Sequence, residues 1–222
     1  MEQWKRQRLY KKGTEPIVPT PEEIYNMIKS IKDEPFRCLC AILYLSGCRI
    51  SELVRYEKLQ FQKQEYTDDK GKTKHRVLWK TKTIIESHPS ICKKQLQFVM
   101  DEYISVLLIS TRNLKNRERH TKDVPINLSK KENIEFVDII NPYITKLGPG
   151  DELFPFNRPQ AEYMSKKWLP FNLHFLRDLR ATNLSKIDDL NTSELQKVFG
   201  WTDGRPAAKY IMLKWRDLVK KM

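Results

Sequence analysis

From Thr20 to Leu45 the apolar positions recur three and four apart between short polar breaks, a spacing that predicts two helices. Thr20-Pro-Glu-Glu23 can form a reciprocal capping box with proline at the first helical position, so the first helix is expected over Pro21–Ile31. Asp33-Glu-Pro35 ends it. In FRCLCAILYLSG the apolar residues at 36, 39, 40, 42, 43 and 45 predict a mostly buried helix stopping near Gly47, and ISELVRYEKL (50–59) predicts a helical restart. The period changes at Gln60. QKQEYTDDKGKTKHRVLWKTKTIIES carries β-branched and aromatic residues around the turn former Asp-Asp-Lys-Gly, the pattern of a small antiparallel sheet with HRVLWK and KTIIES as two strands. From Pro89 to about Ser110 (QLQFVMDEYISVLL) the reading returns to helix.

Residues 111–131 are polar and strongly basic, which predicts an exposed loop. A helix near 132–146 follows, then GPGDELFPF as a loop. The C-terminal part reads as helical throughout, over 160–168, 174–186, 193–199 and from about Pro206 to the end. No internal repeat or low-complexity tract interrupts this order. The expected fold is therefore α+β, mainly helical, with a small antiparallel β-sheet on one edge. It occupies residues 20–222, and residues 1–19 form a basic arm or truncated linker.

Composition narrows the function. The 222 residues are 40% hydrophobic, enough to bury a core, and no run is long and apolar enough to span a membrane. The basic start MEQWKRQRLYKK lacks the apolar segment of a secretory signal, so an intracellular protein is expected. Cys38, Cys40, Cys48 and Cys92 show no zinc-ligand spacing and read as reduced, buried thiols; no metal or other cofactor is expected. Lys and Arg exceed Asp and Glu by 41 to 28, a net charge of +13, which favours a polyanionic partner such as DNA or RNA.

Four stretches carry candidate chemistry. In SGCRISEL, Arg49 precedes Glu52 by three residues, so one helical turn brings guanidinium and carboxylate to one face, as in a surface ion pair or a fixed phosphate grip. In WKTKTIIES, Lys82 falls at the tip or start of a strand, where a lysine also serves to block edge pairing. In LHFLRDLRAT, His174 and Arg177 are one turn apart. In KVFGWTDGRPAAKYIML, Tyr210 follows Trp201 by nine positions, and each residue could equally pack a core.

Taken together, these residues are what cleavage of a phosphodiester by a tyrosine requires. A phenol with a pKa near 10 is a weak nucleophile at neutral pH and needs a hydrogen-bonding partner, which His174 can supply. Two guanidiniums, Arg49 and Arg177, can neutralise the charge on the pentacoordinate phosphorus. Lys82 can protonate the departing sugar oxygen, and the Trp201 indole N–H can add a donor to the phosphate.

Here the sequence resembles a known family, the tyrosine recombinases or phage-type integrases. SGCRISEL resembles their first-arginine box, LHFLRDLRATNL their H-x-L-R box, RVLWKTKTIIES their lysine-bearing β-hairpin, and FGWTDGRPAAKYI their last box in the Gly-Trp form of Cre-type members. The similarity runs over about residues 20–215. It implies that Arg49, Lys82, His174, Arg177 and Trp201 surround the nucleophile Tyr210, with Glu52 orienting Arg49. Two departures stand out: Asp178 occupies a position where many members have histidine, an expected change in surroundings only, and fewer than twenty residues precede the domain where members carry a DNA-clamping domain. The implied activity is metal- and ATP-independent DNA strand cleavage and rejoining through a 3′-phosphotyrosyl intermediate, on double-stranded DNA, by a protein that self-associates to a dimer or tetramer. The resemblance points to a prokaryotic cell, a virus or a mobile element as its setting. Without a separate reading domain, only weak site selectivity is expected. The alternatives are relaxation of DNA in the manner of a type IB topoisomerase, against which the Gly-Trp-Thr element speaks, and a catalytically silent DNA-binding relative.

Overall fold

The computed structural model describes residues 19–100, 103–112, 121–208 and 210–211. Helix α1 (Pro21–Lys29) starts as its capping box dictates: the Glu23 carboxylate accepts the Thr20 N–H at 2.8 Å, and the Thr20 hydroxyl accepts the Glu23 N–H at 3.2 Å. Helix α2 (Glu34–Ser46) is buried over most of its length and forms the axis of the domain. Helices α1, α4 (Lys131–Ile144) and α6 (His174–Lys186) pack around it. Helix α3 is a single turn, Ile50–Leu53, and α5 spans Arg158–Trp168.

Two antiparallel sheets flank the helices. Strands β1 (Tyr56–Thr67) and β2 (Thr73–His88) form a long two-stranded ribbon. Strands β3 (Leu96–Met100), β4 (Ser105–Arg112) and β5 (Thr121–Asn127) form a three-stranded sheet in that order. Along β4 and β5 the side chains alternate: Leu107, Ile109, Thr111, Val124 and Ile126 face the core. Helices α7 (Thr192–Phe199) and α8 (Arg205–Ala208) close a small second core of Ala181, Leu184, Leu195, Phe199, Ala207 and Tyr210.

The α+β class holds, and four local expectations are corrected. The helix expected from Pro89 to Ser110 is replaced by β3 and β4; a nearly continuous apolar run satisfies periods of 2 and 3.6 alike, and core burial on alternate residues decides for strand. The helix expected over 50–59 stops at Leu53, because its carbonyl is taken by the Ile91 N–H at 2.9 Å and the Ser90 hydroxyl at 3.1 Å. HRVLWK and KTIIES belong to one strand, β2, whose partner β1 begins seventeen residues earlier in sequence, at Tyr56. The basic segment 111–131 is in part β5; its stretch 113–120, the basic arm before Pro19 and the chain beyond Ile211 lie outside the described residues.

No helix among the described residues is long and apolar enough to cross a membrane. All four cysteines are free, and Cys38, Cys40 and Cys48 are buried while Cys92 is half-buried. Burial raises the Cys38 and Cys40 thiol pKa well above the usual range, so both stay protonated and inert.

Candidate active site

The site forms where α2 ends. Gly47 caps that helix in the left-handed region at φ 57°, and a Cβ added there would lie 2.2 Å from Cε1 of Phe199, the last residue of α7. Glycine is thus required twice, for the turn and for the approach of α7. Gly47→Ala is expected to cost about 2–4 kcal/mol from left-handed strain and overpacking. That lowers the melting temperature by roughly 5–15 °C in thermal unfolding. Gly200, also left-handed at φ 64°, would meet only the flexible Lys122 chain at 3.4 Å, so Gly200→Ala should cost less. Equal melting temperatures for Gly47→Ala and the parent would mean that α2 and α7 do not meet here.

Immediately after this turn Arg49 caps α3. Glu52, almost fully buried, accepts the Arg49 backbone N–H at 2.9 Å through one oxygen and its guanidinium at 2.9 Å through the other. This is a positioned pair rather than a surface one, with a quarter of the Arg49 side chain left exposed.

Arg177, on α6, is 3% exposed. Its Nη1 donates to the Gly47 carbonyl and its Nη2 to the Phe199 carbonyl at 3.3 Å, so one guanidinium ties together the C-terminal ends of α2 and α7. Both ends carry partial negative charge, which suits a cation. The guanidinium also lies over the rings of Phe199 and Trp201, at 4.9 and 5.5 Å. Its pKa falls below the ordinary arginine value, first through burial and then through Arg49, while Glu52, Cys48 and Tyr210 oppose the fall. Arginine is the one cation that stays charged under such desolvation. Two of its five N–H groups serve the scaffold.

Tyr210 packs in the second core with its hydroxyl engaged. Its ring is 9% exposed and lies flat on Trp201 at 5.7 Å and 6°, and Trp201 in turn stacks on Phe199 at 4.7 Å and 13°. Its hydroxyl donates to Asp178 Oδ1 at 2.6 Å. His174, expected to partner the phenol, is instead two-thirds exposed at the start of α6, with Nε2 3.8 Å from the same Asp178 oxygen. The order is therefore Tyr210, Asp178, His174, with Asp178 in direct contact with the phenol. The i,i+4 spacing of His174 and Asp178 on a helix was the signal for it.

A lysine also enters that sequence reasoning did not select. Lys122, on β5, extends over Gly200, and its Nζ lies 4.0 Å from the Cys48 sulfur, next to Arg49. The signal was period 2: in TKDVPIN, residues 122, 124 and 126 share the inward face once the stretch is read as a strand. Lys82, by contrast, sits exposed in β2 opposite Phe61, its side chain without a hydrogen bond or ion pair among the described residues. The structure thus gathers Arg49, Glu52, Arg177, Trp201 and Tyr210, sets His174 at the rim, and leaves Lys82 exposed on the β1–β2 ribbon. Two other tyrosines stand in different surroundings. Tyr143 is buried, donates to the Leu153 carbonyl at 2.6 Å and has its pKa pushed up to about 12, chiefly by burial. Tyr163 is exposed on α5.

Compared with known proteins, the sequence matches no family model and no curated protein. Its fold is similar to that of the Tn1549 transposon integrase in complex with transposon right-end DNA, with a TM-score of 0.51 and 14% identity over 96% of this chain and 67% of that one. XerH site-specific recombinase, bound to its difH substrate, gives 0.49 and 15% over 97% of this chain and 55% of that one. XerA recombinase gives 0.47 and 12% over 96% and 64%. The chain thus spans between about half and two thirds of the length of these proteins. The likeness to the transposon integrase, over nearly every residue here and at far too low an identity to speak for more than architecture, assigns to the chain the catalytic-domain fold of the tyrosine recombinases.

Proposed function

We propose that residues 20–222 form a DNA strand-transferase domain that cuts and rejoins duplex DNA through a 3′-phosphotyrosyl intermediate. The observation that supports this most is the Tyr210 hydroxyl held at 2.6 Å by Asp178, on a ring stacked against Trp201 beside the buried Arg177. Tyr210 Oη attacks the scissile phosphorus, and the bond from phosphorus to the 5′-oxygen breaks. The phenolic proton passes to Asp178 and onward to the exposed His174. Arg49 and Arg177 neutralise the charge that builds on the phosphorane. The departing 5′-oxygen takes a proton from a lysine, for which Lys122 has the better position and Lys82 was the sequence-based candidate. A 5′-hydroxyl attacking the adduct reverses the step, and phosphodiester energy is conserved without ATP or a metal. Paired exchanges by a dimer or tetramer on two sites would integrate, excise or resolve DNA in the cell, virus or mobile element that encodes the chain.

A nicked suicide duplex, from which the broken strand diffuses away, tests the reading. A protein–DNA adduct resisting denaturant is expected. Relaxation of supercoiled DNA with no strand exchange would favour the topoisomerase alternative, and binding without any adduct a silent DNA-binding domain.

The charge of +13 predicts a second behaviour. Duplex binding should be steeply salt-dependent, losing about 10³-fold or more in affinity between 50 and 200 mM salt if about six phosphates are contacted. A flat salt titration would mean that the basic surface does not meet the DNA backbone.

A further inference from the structure

Resting on the reading above, we infer that the outer half of the β1–β2 ribbon lies in the major groove of the DNA duplex and reads base edges with Gln62, Gln64 and Arg76. The ribbon's substantial packing is strand on strand, and its outer half, 62–67 with 73–78, is exposed or half-exposed throughout. A lone two-stranded ribbon is at best marginally stable in water, so one this long gains from a partner. The register isolates that half. Phe61 pairs with Lys82 and Gln62 with Leu78, so the register shifts between Phe61 and Gln62, where the outer segment meets the inner one.

The two faces of the outer half differ in chemistry. Cross-strand partners share a face, so Gln62 and Leu78, Gln64 and Arg76, and Tyr66 and Lys74 lie on one side. The opposite side carries Glu65 and His75, paired at 3.7 Å. The first face has amides and cations and no carboxylate of its own. The nearby Asp68 is engaged in the turn: it accepts the Lys70 and Lys72 N–H groups at 3.0 and 2.9 Å and pairs with Lys74 at 2.7 Å. The side chains of Gln62, Gln64 and Arg76 make no hydrogen bond or ion pair among the described residues, so their donors and acceptors are available.

These residue types match duplex DNA and fit an acidic protein surface less well. The major groove, about 12 Å wide, admits a two-stranded ribbon, glutamine pairs bidentately with adenine, and arginine with guanine. The six residue pairs extend about 16 Å, close to half a helical turn of DNA. The ribbon would supply the base selectivity that net charge cannot.

The test is selection from a pool of randomised 30-base-pair duplexes by the full chain, with sequencing of the bound fraction. The parent should enrich an A- and G-containing motif. The exposed triple variant Gln62→Ala, Gln64→Ala, Arg76→Ala should lose about tenfold or more of the preference at each of those bases while keeping binding to unselected DNA within about threefold. The opposite-face variant His75→Ala, Thr73→Ala should keep the motif. Any parent preference that the triple variant retains, or that the opposite-face variant loses equally, overturns the ribbon reading. So does a parent that binds without preference, which leaves strand transfer standing. Loss of self-association with the motif intact would assign the ribbon to a second copy of the chain instead. A parent that binds no duplex at low salt sinks the parent reading along with this one.

Discussion

Tyr210→Phe is expected to abolish adduct formation, a loss of at least about 10³-fold, while DNA binding stays within about threefold. The substitution removes a single oxygen. The ring remains flat on Trp201, and the second core around Leu195, Phe199 and Ala207 keeps its volume. The lost bond to Asp178 costs stability on the order of 1 kcal/mol, too little to unfold a domain of this size. Folding and binding are thereby separated from chemistry. An undiminished adduct from the Phe variant would move the nucleophile elsewhere, first to the exposed Tyr163, since Tyr143 is buried and bonded to Leu153.

The second large effect concerns the proton donor. Lys122→Ala should slow cleavage of ordinary DNA by about 10²–10⁴-fold, the usual contribution of a general acid, whereas Lys82→Ala should change it only a few-fold. A substrate with sulfur in place of the bridging 5′-oxygen releases a thiolate, which leaves without a proton. Lys122→Ala should then recover most of its rate. Arg49→Ala should stay impaired on both substrates, because its guanidinium, fixed by Glu52, answers charge on the phosphorane whichever atom leaves. Rescue of Lys82→Ala in place of Lys122→Ala would return the acid's role to the ribbon. Rescue of neither would turn the search to Lys80, Lys74 and Lys72.

Much of the site is legible in the sequence because its parts are local. Gly47 before Arg49, and Arg49 three residues before Glu52, prescribe a capped helix turn whose ion pair needs nothing from elsewhere. The Thr20 capping box and the Gly200 stop are equally local. Illegible are the contacts that depend on strand pairing. Lys122 becomes a site residue only once β5 is placed beside α2, and the apolar run that hides β3 and β4 conceals that placement. Lys82 shows the converse: a lysine in a motif-like stretch belongs to a ribbon whose register, with a shift between Phe61 and Gln62, no local pattern announces. Asp178 was visible as a departure, but its bond to Tyr210 spans 32 residues and arises from the packing of α6 against the second core.

The most direct measurement identifies the residue that carries the DNA. The parent protein is incubated with a nicked suicide duplex, the denaturant-resistant species is digested, and the nucleotide-bearing peptide is sequenced by mass spectrometry. The expected result is one modified peptide, with the nucleotide joined through its 3′-phosphate to Tyr210 and a free 5′-hydroxyl on the released strand. A 5′-phosphate linkage, a modified residue other than Tyr210, or no covalent species on any duplex that the protein binds would contradict it.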